Sequence, residues 1–398
     1  MNSPSLPAVR WQRQSQVDHH AAHSLLISLM RGLAALEVAA AHLRAESFPG
    51  LRELADPPLA YQLLAFFTAF SHQAVVVFFL ISGWLVGGSL LNKMGQPGAL
   101  AGYAIDRATR LWTVLLPALC LILAIAAVTG AVSPAHADFS ADNEYSAASF
   151  AGNLIGLQTI LVEPFGGNFP LWSLANETWY YVQFPLLLLV FMGKSRLRQL
   201  GAATVLVLLS AALPGAMTLY FSLWLLGALF SRVRIDCTPA TSAILFAATA
   251  ALAIYVRMSN SIDDLAPAYF VQHLAYSLPL VAFLASMQRP LDMASPWIRH
   301  LGRVAHILSE FSFTLYVIHV PLIRLMRHVG MQVFGRDQLA PGAPLDYAIY
   351  FGMLLTVVAA AWLSYLLFES HTFRVRRFVK TLLQLQRQRA PIAPASAK

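Results

Sequence analysis

The sequence predicts an all-α polytopic membrane protein, a single bundle of about ten transmembrane helices with both termini cytoplasmic. Three observations predict it. Apolar residues fill 58% of 398 positions and charged residues 12%, where soluble domains run nearer roughly 45–50% and about 25%. A soluble fold of this length would lack the charge to cover its surface. Stretches near the roughly 20 apolar residues that cross a bilayer as a helix recur along the chain. Lys and Arg then gather on one side of the resulting topology, as they do on the cytoplasmic face of membranes.

The expected spans are 24–43, 61–82, 111–132, 177–193, 199–217, 218–231, 241–256, 268–287, 308–327 and 346–368, with an interfacial or re-entrant piece over 148–162. With both ends inside, the inner loops hold Lys93, Arg107, Arg110, Lys194, Arg196, Arg198, Arg232, Arg234, Arg289, Arg299 and Arg303. Loop 133–170 carries Asp138, Asp142, Glu144 and Glu163 but no Lys or Arg, which fits an outward face. The net charge of +8 is therefore a topology signal and requires no nucleic acid. An anionic leaflet of membrane lipid favours the same distribution. Residues 1–22 read as a flexible cytoplasmic tail, 23–370 as the transmembrane domain, and 371–398 as a basic amphipathic tail on the inner leaflet. Arg31 and Glu37 interrupt the apolar core that a cleaved signal peptide needs. Cys120 falls in a span and Cys237 in an inner loop, so no disulfide is expected. His19, His20 and His23 in the tail, and His273, His300 and His306 further on, lack ligand spacing, and no metal site is expected.

The segment "RGLAALEVAAAH" (31–42) places three ionisable groups inside the first span. Arg31 and His42 share one helix face within roughly 20° and stand about 16 Å apart along the axis. Glu37 points elsewhere, and Glu46 returns to the His42 face. A charge in mid-membrane costs roughly 2.5–3.5 kcal/mol on insertion scales, so such groups usually face a bundle interior. Snorkelling of both residues to the headgroups is the alternative, and this segment alone leaves both readings open.

The Arg…His spacing resembles that of the membrane-bound acyltransferase-3 family. "VVVFFLISGWLVGG" (75–88), "RATR" (107–110), "PLWSLANETWYYVQFPLLLL" (170–189) and "FSFTLYVIHVPLI" (311–323) resemble that family's other motifs, in the expected order. "FES" (368–370) resembles its last-span motif, although no proline follows, and Thr178 stands where a second acidic residue is common. The resemblance implies an O-acyltransferase of the bacterial inner (cytoplasmic) membrane. It would take an acyl group, usually acetyl, from cytoplasmic acyl-CoA, a donor substrate rather than a resident cofactor. The acceptor would be a hydroxyl of a cell-surface or lipid-linked glycan. His42 is the expected general base or acyl relay, with Glu177 orienting it and Glu46 a rival for that role. Arg31, Arg107, Arg110, Ser82 and Gly83 are expected at the donor; Trp172, Ser173, Tyr316 and His319 are expected at the substrate. Ser312, Tyr316 and His319 also share one helix face, where a packing trio is an equal reading. A permease for an anionic solute is the competing class, although no repeat halves or paired broken helices are visible.

Overall fold

Inside a bilayer no water is at hand for backbone N–H and C=O groups, so a long apolar run satisfies them within itself as a helix. The computed structural model, which describes residues 7–15, 21–132, 139–259, 266–292 and 294–389, follows that rule throughout. Strand β1 (Ala8–Trp11) precedes α1 (Ala22–Ser47), α2 (Leu59–Phe67), α3 (Ser71–Ser82), a π-turn (Gly83–Gly87) and α4 (Gly88–Lys93). Then come α5 (Ala99–Thr129), α6 (Ala147–Leu154), α7 (Leu171–Met192), α8 (Arg196–Ala212) and α9 (Gly215–Phe230). Strand β2 (Val233–Asp236) leads into α10 (Pro239–Ser259), α11 (Phe270–Ser286), α12 (Pro296–Glu310), α13 (Ser312–Phe334), α14 (Pro344–Leu367) and α15 (Thr372–Arg389).

Among the described residues six helical stretches are long and apolar enough to cross a membrane: α1, α2 to α4, α5, α10, α11 and α14 with its continuation. The pair α12 and α13, bent by 54°, adds a seventh if it is one span. The expected spans 177–193, 199–217 and 218–231 fall on α7, α8 and α9, with the break between the last two at Leu213 and Pro214 and not at 217. Phe191, Leu197, Phe246 and Leu355 project outward from their helices, as side chains facing lipid do. This is a multi-pass, all-α membrane protein.

Helix α1 runs through the middle, packed by α3, α12, α13 and α14. It runs parallel to α13, since His42 meets His319 and Glu46, further along α1, meets Arg327, further along α13.

The second span does not end at the expected Ser82 but continues through the π-turn to Lys93. The glycines that look like a stop in the sequence instead admit α9. A Cβ on Gly83 would lie 1.9 Å from the Trp224 carbonyl oxygen, and one on Gly227 would lie 2.0 Å from that of Leu80. Small residues at such crossings let membrane helices approach backbone to backbone. The described parts of both tails also make contacts with the rest of the chain. β1 pairs antiparallel with β2, and the amide of Ser15 donates to Asn92 Oδ1 at 2.9 Å while Asn92 Nδ2 donates back to the Ser15 carbonyl at 2.8 Å. His23 is buried in the first turn of α1 beside Trp84; His19 and His20 lie outside the described residues. At the other end, α15 is fastened to α5 by Arg376 and Lys380, both on Asp106, and by the Thr113–Thr372 hydroxyl pair at 2.9 Å.

Gly227→Val should lower the unfolding temperature in detergent by several degrees, through overpacking worth about 1–3 kcal/mol. Gly102→Val, whose added Cβ meets nothing within 4 Å, should leave it unchanged. Equal melting of the two variants would contradict the close α3–α9 crossing.

Candidate active site

Helix α1 presents Arg31 to a cavity of about 530 Å³. Arg107 and Arg110 of α5 and Arg376 of α15 share its wall, with Ser82, Glu177, Tyr181 and Glu369. Each arginine is held differently. Arg110 pairs with Glu369, a buried carboxylate that also accepts from the Thr314 amide at 3.2 Å and from the Thr314 hydroxyl. Arg107 lies over the Tyr181 ring at 5.7 Å. Arg376 leans on Asp106 at 3.3 Å. Arg31 has Arg110, Glu369 and Glu177 as charged neighbours, yet among the described residues no side chain or carbonyl hydrogen-bonds its guanidinium. Glu177 accepts from the Ser82 hydroxyl at 2.6 Å and from Tyr181. A guanidinium left open among other cations is a ready partner for phosphate oxygens, which it binds in bidentate, charge-assisted bonds.

The far end of the cavity closes on Ser173 and Tyr316, whose hydroxyls bond each other at 2.6 Å. Beyond Tyr316, and outside the cavity wall, lie the two histidines. The Tyr316 ring packs against that of His319 at 5.9 Å. His42 Nδ1 and His319 Nε2 are 2.8 Å apart, with ring centroids at 5.1 Å and planes 18° apart. That combination describes two imidazoles edge to edge in nearly one plane, as an N–H···N bond requires.

Phe169 covers the pair from the other side, its ring edge-on to His42 at 4.8 Å. It belongs to the segment "FGGNFP" (165–170), which is pinned to α13 at two points. Arg324 donates to the Gly166 carbonyl at 2.6 Å. Asn168 Nδ2 donates to the Val317 carbonyl at 2.9 Å. That carbonyl is free because Pro321, four residues on, has no N–H to give it. Gly166 and Gly167 take φ values of 59° and 62°, a region that favours glycine. Further out, Arg327 ties Glu46 to Asp337 at 2.5 and 2.6 Å.

The third ionisable group of α1 has its own task. Glu37 Oε1 accepts from the Phe70 amide at 2.8 Å, satisfying a donor at the break where α2 gives way to α3.

Several expected placements differ. Glu177 meets Ser82 and Tyr181 instead of His42, because Ser82 sits within a continuing helix, level with the second turn of α7, and not at an inner end. Glu46 is taken by Arg327. The group that meets His42 is His319, expected at the substrate. Gly83 turns toward α9 and not toward the cavity. Trp172 is half-buried beside Ser173 but forms no part of the cavity wall. Arg31, Arg107, Arg110, Ser82, Ser173 and Tyr316 do line one cavity. Sequence reasoning missed Arg376, Asn168 and Phe169, and gave Glu369 no role. The sequence signal for Glu369 was the "FES" motif, and for Asn168 the proline at 321. For Arg376 there was none beyond its place in a basic tail. Among the described residues no group of three His, Cys, Asp or Glu side chains stands close enough to hold a metal.

An apolar helical bundle, with an arginine-lined cavity and a histidine pair beyond it, defines a multi-pass membrane protein with a polar site among its helices. The acyltransferase domain of the acyltransferase-3 family matches residues 26–367, nearly the whole chain, and the chain belongs to that family. It is a membrane acyltransferase. Neither a curated protein nor a solved structure matches it.

Asn168→Ala would strand the Val317 carbonyl at a cost of about 1–3 kcal/mol and release Phe169 from His42. The expected outcome is a lower unfolding temperature and faster proteolysis between 165 and 170. An unchanged digestion pattern would contradict the pinning of this segment.

Proposed function

We propose that this acyltransferase moves an acyl group, acetyl first among the candidates, from acyl-CoA to a hydroxyl of a cell-surface or lipid-linked glycan at a bacterial inner membrane. The observation that carries the reading is Arg31. Among the described residues it stands without a hydrogen-bond partner, in a cavity it shares with Arg107, Arg110 and Arg376, about 16 Å below His42 on the same helix. The coenzyme phosphates are read at the arginines, and the pantetheine arm runs along α1 toward His42. The thioester reaches the histidine only past the Ser173–Tyr316 hydroxyl pair, so transfer needs that pair to part.

His42 then acts as general base. A ring nitrogen takes the proton of the acceptor hydroxyl while its oxygen attacks the thioester carbonyl. The tetrahedral adduct collapses with loss of the C–S bond, the new ester forms, and the coenzyme thiolate takes the proton back from the imidazolium. Positioned bases of this kind contribute typically about 10²–10⁴-fold. Glu177, held by Ser82 and Tyr181, is assigned to the donor cavity, where it offsets part of the arginine charge.

The test uses membranes containing the protein and acetyl-CoA labelled in the acyl group. Label should enter a glycan or lipid fraction with the native protein and fall at least about 10²-fold with His42→Ala. Arg31→Ala should weaken acyl-CoA binding to the purified protein. Full transfer by His42→Ala would contradict the reading, and absence of any acyl-CoA binding would favour a permease for an anionic solute.

A further inference from the structure

We propose that His319 is the positioning residue of the site: it holds His42 in the Nδ1–H tautomer, so that Nε2 is the nitrogen left to accept a proton. The inference rests on the reading of His42 as the base and adds which atom acts and what selects it.

The hydrogen bonds lead outward from one group whose role is fixed. The carbonyl of Leu315 can only accept, and His319 Nδ1 lies 3.2 Å from it, so the proton of His319 is on Nδ1. A neutral imidazole has one N–H, which leaves His319 Nε2 with a lone pair. His42 Nδ1 is 2.8 Å from that lone pair, so the shared proton is on His42. By the same count, His42 Nε2 carries no proton, and among the described residues nothing hydrogen-bonds it. Charged alternatives are disfavoured by the surroundings. His319 is fully buried, no carboxylate touches either ring, and an unpaired buried charge is costly.

The near-coplanar rings add a second constraint, because such a bond weakens steeply as the donor turns out of line. Phe169 presses on His42 edge-on and Tyr316 on His319, so neither ring has room to turn freely. The arrangement parallels the way a histidine base is commonly fixed by whatever its second nitrogen bonds, here with a helix carbonyl and a second imidazole in series.

The experiment compares His319→Leu with His319→Gln in the acyl-transfer assay. Leucine offers no acceptor; kcat should fall by about ten- to hundredfold, while the KM for acyl-CoA stays as it is, since the donor cavity lies on the far side of Tyr316. Glutamine can present Oε1 where Nε2 stood, and should recover most of the rate. A native rate in His319→Leu, an equal loss in both variants, or a change confined to KM would overturn the proposal. Because either substitution can disturb folding, the native protein is also examined by nitrogen-15 NMR with labelled histidine, the His42 signals being those lost in His42→Ala. A protonated Nδ1 and a bare Nε2 are expected; the reverse tautomer overturns the proposal without any variant of His319. The two readings fail separately. Loss of transfer in His42→Ala with a native rate in His319→Leu removes only the positioning role, whereas full transfer in His42→Ala removes the base itself.

Discussion

An ionisable group inside a membrane usually has to be met by something, and residues 31–42 of α1 carry three. Two of them are met by partners in the bundle and one is not. Glu37 satisfies the amide of Phe70 where the second span is broken. His42 shares a proton with His319. Among the described residues nothing hydrogen-bonds Arg31, which lies in a cavity whose other charges come from α5, α7, α12, α15 and the turn after α14. Charge burial costs a few kcal/mol even on lenient scales, and Glu369 and Glu177 are the nearest countercharges to this guanidinium. Under the proposed transfer its ligand is the donor's phosphates.

The two ends of the site are built by different means. The arginine end is electrostatic: Glu369 fixes Arg110, Asp106 fixes Arg376 and Lys380, and Tyr181 supports Arg107. The histidine end is geometric, set by Pro321. By withholding one amide, the proline frees the Val317 carbonyl for Asn168, and Asn168 carries Phe169 onto His42. Ser173 and Tyr316 divide the two ends. Under the proposed transfer, a donor held at the arginines stays apart from His42 until that pair opens.

Much of this was legible in the sequence because membrane constraints leave little choice. Apolar runs had to become helices, so α1, α10, α11 and α14 fall where hydropathy put them, whereas α5 begins at Ala99, well before the expected 111, and takes Arg107 and Arg110 into the helix. The fixed spacing of Arg31 and His42 on one helix gave the length of the site. What was not legible depended on tertiary partners. "SGWLVGG" looks like a helix end, and only the approach of Trp224 and Ala228 explains those glycines. With the end of that span misjudged, Ser82 was set too far from Glu177, and Glu177 was given to His42. The His42–His319 bond joins residues far apart in the chain, on parallel helices whose register no local pattern reports. Likewise, the basic composition of α15 suggested a lipid-facing tail but could not indicate that Arg376 turns inward.

The central claim is that one path along α1 joins a donor site at Arg31 to a base at His42, with donor and acceptor on opposite sides of the membrane. Sealed vesicles holding the protein in a single orientation test it most directly, with acyl-labelled acetyl-CoA supplied to one face at a time. The account predicts transfer only when the donor is on the Arg31 face, with the labelled product appearing on the other. Equal transfer from either face, or product retained on the donor side, would contradict it.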